Sequence, residues 1–119
     1  MTDAVGIVSF IWQGQKYDAI KGSSLRLPDM QNVTQIAGAT GYPSKQFQIG
    51  EAKATPLLLE GMSLAAFTPR DRGELQIVAD TGQKWVIPAA YILSAPTMTD
   101  DGGKMPITWN FATYEEILN

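Results

Sequence analysis

The pattern of apolar and polar positions changes character several times along the chain, and each change marks an element. From Ala4 to Trp12 nearly every residue is apolar or small. Both alternating sets, Val5, Ile7, Ile11 and Val8, Phe10, Trp12, are apolar, which predicts a strand covered on both faces. Gln13-Gly14-Gln15 predicts a hairpin turn, and Lys16 to Leu27 an antiparallel return strand bulged at Gly22-Ser23-Ser24. Ile49 to Leu59 sets Glu51, Lys53 and Thr55 against Ala52 and Ala54, the pattern of a strand with one wet face. Ser63 stands where a side chain caps a short helix, Leu64 and Phe67 share a face of it, and Pro69 ends it. Glu74 to Asp80 alternates with Leu75, Ile77 and Ala79 inward, and Thr81-Gly82 turns it into Lys84 to Leu93. Trp85, Ile87, Ala89, Tyr91 and Leu93 form one face of that strand, and Pro88, which has no N–H for a ladder, predicts an edge or a bulge. After a turn at Thr99-Asp100-Asp101-Gly102-Gly103, Met105, Ile107, Trp109 and Phe111 alternate with Pro106, Thr108, Asn110 and Ala112. About six strands and one short helix joined by tight turns predict a mainly β fold, an antiparallel sandwich or partly closed barrel.

One stretch breaks this rhythm. From Pro28 to Gln48 the chain is polar and shows neither helical nor strand periodicity. A compact domain seldom carries a structureless loop of roughly 20 residues unless the loop has a function. The segment therefore reads as an arm that orders against another copy of the chain. With 119 residues, 45% of them hydrophobic, the sequence suits one domain spanning 1–119, with the arm at 29–48.

Charge and missing residue types narrow the chemistry. The net charge is −3, and no basic run exists to neutralise a row of phosphates, which argues against nucleic-acid binding by charge attraction. The acidic excess lies in the second half, in Asp100, Asp101, Glu115 and Glu116. The chain has no Cys and no His, so disulfides, thiolate or imidazole metal ligands and the commonest general base are all lacking. No carboxylates cluster as an acid/base pair; Asp100 and Asp101 read as turn residues and Glu115-Glu116 as a solvated end. Gly38-Ala39-Thr40-Gly41 lacks the Lys-Ser/Thr of a phosphate loop, and Asn32-Val33-Thr34 matches a glycosylation acceptor in a chain with no secretion signal. The aromatics Trp12, Trp85, Trp109, Tyr91 and Phe111 share strand faces with Ile and Leu and read as core. Met1-Thr2-Asp3 lacks a basic n-region and no apolar run approaches the ~18 residues of a membrane span, so cytoplasmic synthesis without membrane anchoring is expected. Neither an enzyme nor a cofactor is expected.

The order of these segments is itself a signal. Gly61-Met62-Ser63-Leu64, a short helix, Glu74-Leu75-Gln76-Ile77, then Ala79-Asp80-Thr81-Gly82-Gln83-Lys84-Trp85-Val86-Ile87-Pro88-Ala89-Ala90-Tyr91 and a final aromatic strand ending Tyr114-Glu115-Glu116-Ile117 resembles the Mu-like phage tail tube family. Gly14-Gln15-Lys16-Tyr17 resembles that family's first hairpin, Ser24 to Leu27 its second strand, and Ala37-Gly38-Ala39-Thr40-Gly41-Tyr42 the small-residue segment of its long loop. The chain departs from the family at Asp80-Thr81-Gly82, where an Asn-Gly turn is common, and at Leu57-Leu58-Leu59, which replaces a more polar stretch. The resemblance implies a self-assembling virion protein, made in the host cytoplasm, whose hexameric rings stack into the hollow inner tube of a contractile tail. It also implies sheath, tape measure and baseplate or tube-initiator partners, and genomic DNA passing through without specific binding. An acidic protein suits such a conduit, because a like-charged wall does not trap DNA. Under this reading Met30, Val33, Ile36, Tyr42 and Phe47 are the inter-subunit anchors of the arm, and Glu51, Lys53 and Thr55 face the lumen or, alternatively, the outer solvent. A type VI secretion-like tube, a tail-tip ring protein and a monomeric β-barrel binding module are the competing readings.

Overall fold

The computed structural model describes residues 3–69 and 72–118. Its strands are β1 (Val8–Trp12), β2 (Gln15–Asp18), β3 (Ser24–Arg26), β4 (Asp29–Ala37), β5 (Thr40–Gln48), β6 (Gly50–Ala54), β7 (Gly73–Ala79), β8 (Lys84–Ile92), β9 (Ile107–Phe111) and β10 (Glu115–Ile117). A 3₁₀ helix, Leu64–Phe67, lies between β6 and β7. All pairings are antiparallel, in the order β2-β1-β7-β8-β9-β6-β3, with β10 added to β8.

The sheet curls until its ends meet. Just past β2, Ala19 bridges Pro56, just past β6, and the Ile20 N–H donates to the Thr55 carbonyl at 3.0 Å. β1, β2, β6, β9, β8 and β7 thus form a ring closed at one point by a bridge instead of a full ladder, the partly closed barrel that the turn spacing predicts. In this ring β6 lies opposite β7.

The interior is filled by the alternating residues expected of it. Leu75, Ile77 and Ala79 of β7, Ala52 and Ala54 of β6, and Met105, Ile107, Trp109 and Phe111 on and before β9 are buried. Trp109 is the centre: its ring meets Phe10 edge-on at 5.2 Å and Trp12 at 5.8 Å. Tyr17 stacks on Phe10 at 5.4 Å and meets the edge of Phe67 at 5.0 Å, so the 3₁₀ helix is tied to the barrel through one buried aromatic.

Several expectations are corrected. β1 is buried on one face only: Phe10 and Trp12 point inward, whereas Ile11 is half-buried and Val5 and Ile7 are exposed. The segment Lys16 to Leu27 is broken at Gly22, which takes a positive φ of 106°, into β2, which pairs with β1, and β3, which pairs with β6, the strand whose end Ala19 already bridges. Ser63 is extended and makes no side-chain cap; a single 3₁₀ turn needs little capping. The wet-faced strand ends at Ala54, and beyond it Pro56 and Leu57 hold only isolated bridges. Pro88 does sit in a bulge: β8 carries one residue more than β7 between the pairs Leu75↔Ile87 and Gly73↔Ala90. The extra residue flips the inward face, so Ala90 and Ile92 are buried while Ala89 and Tyr91 are half-buried and Leu93 is exposed. Trp85 is also only half-buried, and Glu115-Glu116, solvated as expected, lies in β10.

The largest correction concerns residues 28–48, which form a hairpin of two nine-residue strands paired from Asp29↔Gln48 to Ala37↔Thr40. Gly38, at a φ of 65°, opens its two-residue turn. Its strands pack on nothing else, so neither face selects apolar residues and no alternation appears in the sequence. The pairing of β4 with β5 continues the register of β3 with β6, in which Arg26 opposes Glu51. The ladder is interrupted only where Leu27 and Pro28 face Ile49 and Gly50; there Pro28 has no N–H to give. The arm is thus the outer half of one long hairpin whose inner half belongs to the sheet.

Candidate functional site

The arm projects from a body whose overall extents with it are 59 × 39 × 27 Å. Its root is fixed at three points. The Arg26 guanidinium donates to the Ile49 carbonyl at 3.0 Å, the Gln48 amide donates to Gln31 Oε1 at 3.1 Å, and the Met30 N–H donates to the Asp29 carboxylate at 2.7 Å. Gly50 is buried at the joint, where an added Cβ would lie 2.7 Å from the Phe111 ring and 2.8 Å from Pro28 Cδ.

Register sorts the anchor candidates onto two faces, because directly opposed residues of an antiparallel pair share a face. Met30 opposes Phe47, and Ile36 lies on the same face toward the tip, opposite Gly41. Val33 and Tyr42 lie on the other face, opposite Ser44 and Gln35. Met30, Phe47 and Ile36 are 54%, 56% and 78% exposed, and Tyr42 is 55% exposed, whereas Val33 is half-buried. The arm therefore carries an apolar pair, Met30 and Phe47, near its root and Ile36 near its tip on one face, with Asn32, Lys45, Thr34 and Pro43 between them, and Tyr42 on its back.

The second group of candidates is brought together on the outside of the sheet. Glu51 and Lys53 form an ion pair at 3.4 Å on β6; Glu51 lies between Arg26 of β3 and Asn110 of β9, and Lys53 between Ser24 and Thr108. Thr55 follows them just beyond the strand, half-buried. This face bears Arg26 and Lys53 against one Glu, so it is not the acidic wall that composition alone suggests. The acidic excess is placed elsewhere: Asp101 pairs with Lys104 at 3.2 Å in the turn before β9, and Glu116 accepts a 2.7 Å hydrogen bond from the Trp85 indole N–H.

Sequence reasoning gave Arg26 no role and placed Trp85 in the core and Glu116 at a solvated end. The Trp85–Glu116 contact joins positions 31 apart, a separation that no local pattern signals. Among the described residues no group of three or more Asp or Glu side chains is placed to hold a metal ion. A shifted titration among the described residues is structural: burial between Phe10 and Phe67 pushes the Tyr17 phenol upward from its ordinary value. No helix of the described residues is long and apolar enough to cross a membrane.

The fold is shared with several solved structures. The sheath/tube terminator of an extracellular contractile injection system in its extended state superposes with a TM-score of 0.68 at 12% identity, over 98% of this chain and 97% of that one. The tube-terminating cap of the anti-feeding prophage gives 0.69 at 9% identity, over 100% and 94%. Hcp1 from Flavobacterium johnsoniae gives 0.60 at 14% identity, over 96% and 100%. At these identities the likeness is one of fold. No curated protein matches the sequence. The family model described as phage tail tube protein matches residues 1–116, and the chain belongs to that family as a structural tube component.

Proposed function

We propose that the protein builds the inner tube of a contractile tail by stacking closed rings, six subunits to a ring, and that the hairpin arm makes the contact between subunits. The observation that carries this reading is the arm itself. An isolated two-stranded hairpin exposing Met30, Phe47 and Ile36 has no stabilising role in its own subunit, and adjoining exposed apolar side chains such as the Met30–Phe47 pair mark protein contacts. The free edges of β3 and β10 support the same reading, since unpaired strand edges are covered when copies associate.

The polar face of Glu51, Lys53 and Thr55 is assigned to the lumen. Mixed charge of low net value gives a wall that neither holds DNA by counterion release nor repels it strongly. Sheath, tape measure and baseplate or tube-initiator proteins are the partners, the virion tail the final location, and the host cytoplasm the place of assembly. The Mu-like branch of the family is the branch proposed. The whole chain, 1–119, acts as one tube module with its arm at 29–48.

A secretion-type tube is the second reading, favoured by the fold shared with Hcp1 and with extracellular injection systems. The test of the arm is a variant in which residues 29–48 are replaced by a short Gly-Ser turn between Pro28 and Ile49. Negative-stain microscopy across a concentration series is expected to show rings or tubes for the parent and dispersed subunits for the variant. Tubes of normal yield from the variant would sink the assembly role of the arm.

A further inference from the structure

Beside the arm root, β1, β3, β6, β7, β8 and β10 enclose a groove of about 300 Å³, lined by Val5, Phe10, Leu25, Leu27, Ile77 and Trp85. Two of its lining residues are charged, Lys53 and Glu116, and Glu116 holds the Trp85 indole in place. The groove lies at the lower end of the roughly 300–1,000 Å³ typical of small-molecule sites. That is room for one or two side chains.

We propose that this groove receives the Met30–Phe47 pair from the arm of a second copy of this chain, with Lys45 of the incoming arm set against Glu116. The inference rests on the arm acting in assembly and names the surface it meets. Three observations support it. Met30 and Phe47 oppose each other across the hairpin and form one knob, more than half exposed. Lys45 lies on the same face as Phe47, opposite Asn32, and among the described residues it makes no ion pair, whereas Glu116 is an exposed carboxylate at the groove. The arm cannot serve its own groove, because it leaves the body directly after Leu27 as a continuation of the β3–β6 ladder.

Donor and acceptor are different surfaces of one chain, so the contact is heterologous. Repeated, such a contact closes into a ring or runs on as a filament. The assembly this groove supports is the one the tube requires.

The test is a charge-reversal cycle read as the critical concentration for assembly in a sedimentation assay. Lys45→Glu and Glu116→Lys are each expected to raise that concentration about tenfold by setting like charges together, and the double variant to restore it most of the way. Circular dichroism melts of the free subunits control for folding. Because the chain has no cysteine, a mixture of the Lys45→Cys and Glu116→Cys variants is expected to give a disulfide-linked dimer on mild oxidation. An apolar dye, 8-anilinonaphthalene-1-sulfonate, is expected to light up in the free subunit and to be released on assembly. Additive single effects without rescue, no cross-linked dimer, or dye retained in the tube would overturn the groove as acceptor, with the arm's role intact if its replacement still abolishes tubes. Tubes formed without the arm would overturn the arm's role and this inference together.

Discussion

Replacing Gly50 by alanine tests the joint between arm and barrel. Gly50 opens β6, is buried, and does not adopt a positive φ, so the backbone accepts an L side chain there. In a strand interior alanine alone would be favoured over glycine by roughly 0.5–1 kcal/mol. The space is the obstacle. The new methyl would lie 2.7 Å from two atoms of the Phe111 ring and 2.8 Å from Pro28 Cδ. Phe111 is fully buried among core residues and Pro28 is a rigid ring at the start of the arm, so neither yields as a flexible side-chain end would. Overpacking a close-packed site costs about 1–3 kcal/mol. The net expectation is a loss of up to roughly 2.5 kcal/mol, and with each kcal/mol worth about 3–5 °C at this chain length, a Tm lower by up to about 12 °C. Thermal melts of the unassembled subunit measure it. The same displacement of Pro28 re-aims the arm, so the critical concentration for assembly should rise as well. A Gly50→Ala subunit more stable than the parent, as the backbone term alone would make it, would show that the joint is loose, and the view of the arm as a rigid extension of the sheet would fail with it.

Trp109→Ala removes the ring that packs against Phe10 and Trp12 and should cost about 3–5 kcal/mol in urea unfolding, a large fraction of a domain's total stability. Burial raises the Tyr17 pKa in the folded state above its unfolded value of 10.0, so its contribution is fully present below pH 10 and is lost as pH climbs toward the folded value. Urea midpoints measured upward from pH 9 should therefore fall more steeply for the parent than for Tyr17→Phe; equal slopes would remove Tyr17 as the cause. Glu116→Gln weakens a charge-assisted bond to the Trp85 indole at an exposed site, and should cost about 0.5–1.5 kcal/mol and shift the tryptophan emission to the red as β10 loosens. Hydrogen exchange should find the arm amides less protected than those of β7 and β8 in the free subunit and fully protected in the tube.

What the sequence disclosed and what it hid divide along burial. β7 and β9 are legible because each has one face in the core, and that face selects Leu75, Ile77, Ala79 and Ile107, Trp109, Phe111 at every second position. The bulge is legible from Pro88, but its effect is not: a single extra residue moves the inward set from Ala89 and Tyr91 to Ala90 and Ile92. The split of Lys16 to Leu27 into β2 and β3 is invisible locally, since both pieces alternate and only their partners, β1 and β6, differ. At the candidate site the anchor residues could be named as exposed apolar positions in a polar stretch. Their grouping into Met30, Phe47 and Ile36 against Tyr42 needs the register, and the register needs the turn at Gly38. The groove draws on β1, β3, β6, β7, β8 and β10, segments far apart in the chain, so no window of sequence contains it.

The continuity of the β3–β6 and β4–β5 ladders bears on how such an arm can work. A disordered arm would lose about 1–2 kcal/mol of backbone freedom per residue on docking, a cost that would fall on every contact made by the two nine-residue strands. An arm already paired in the register of the sheet has met most of that cost within its own subunit, so the burial of Met30 and Phe47 counts more fully toward association. Rigidity has a second consequence. Because the hairpin is anchored through Arg26, Gly50 and Phe111 into the barrel, its direction is fixed by the core, and small changes there move the knob it carries. The core of the subunit and the geometry of the assembly are therefore coupled through one joint, which is why a methyl group at Gly50 should be felt both in the melting of the monomer and in the building of the tube.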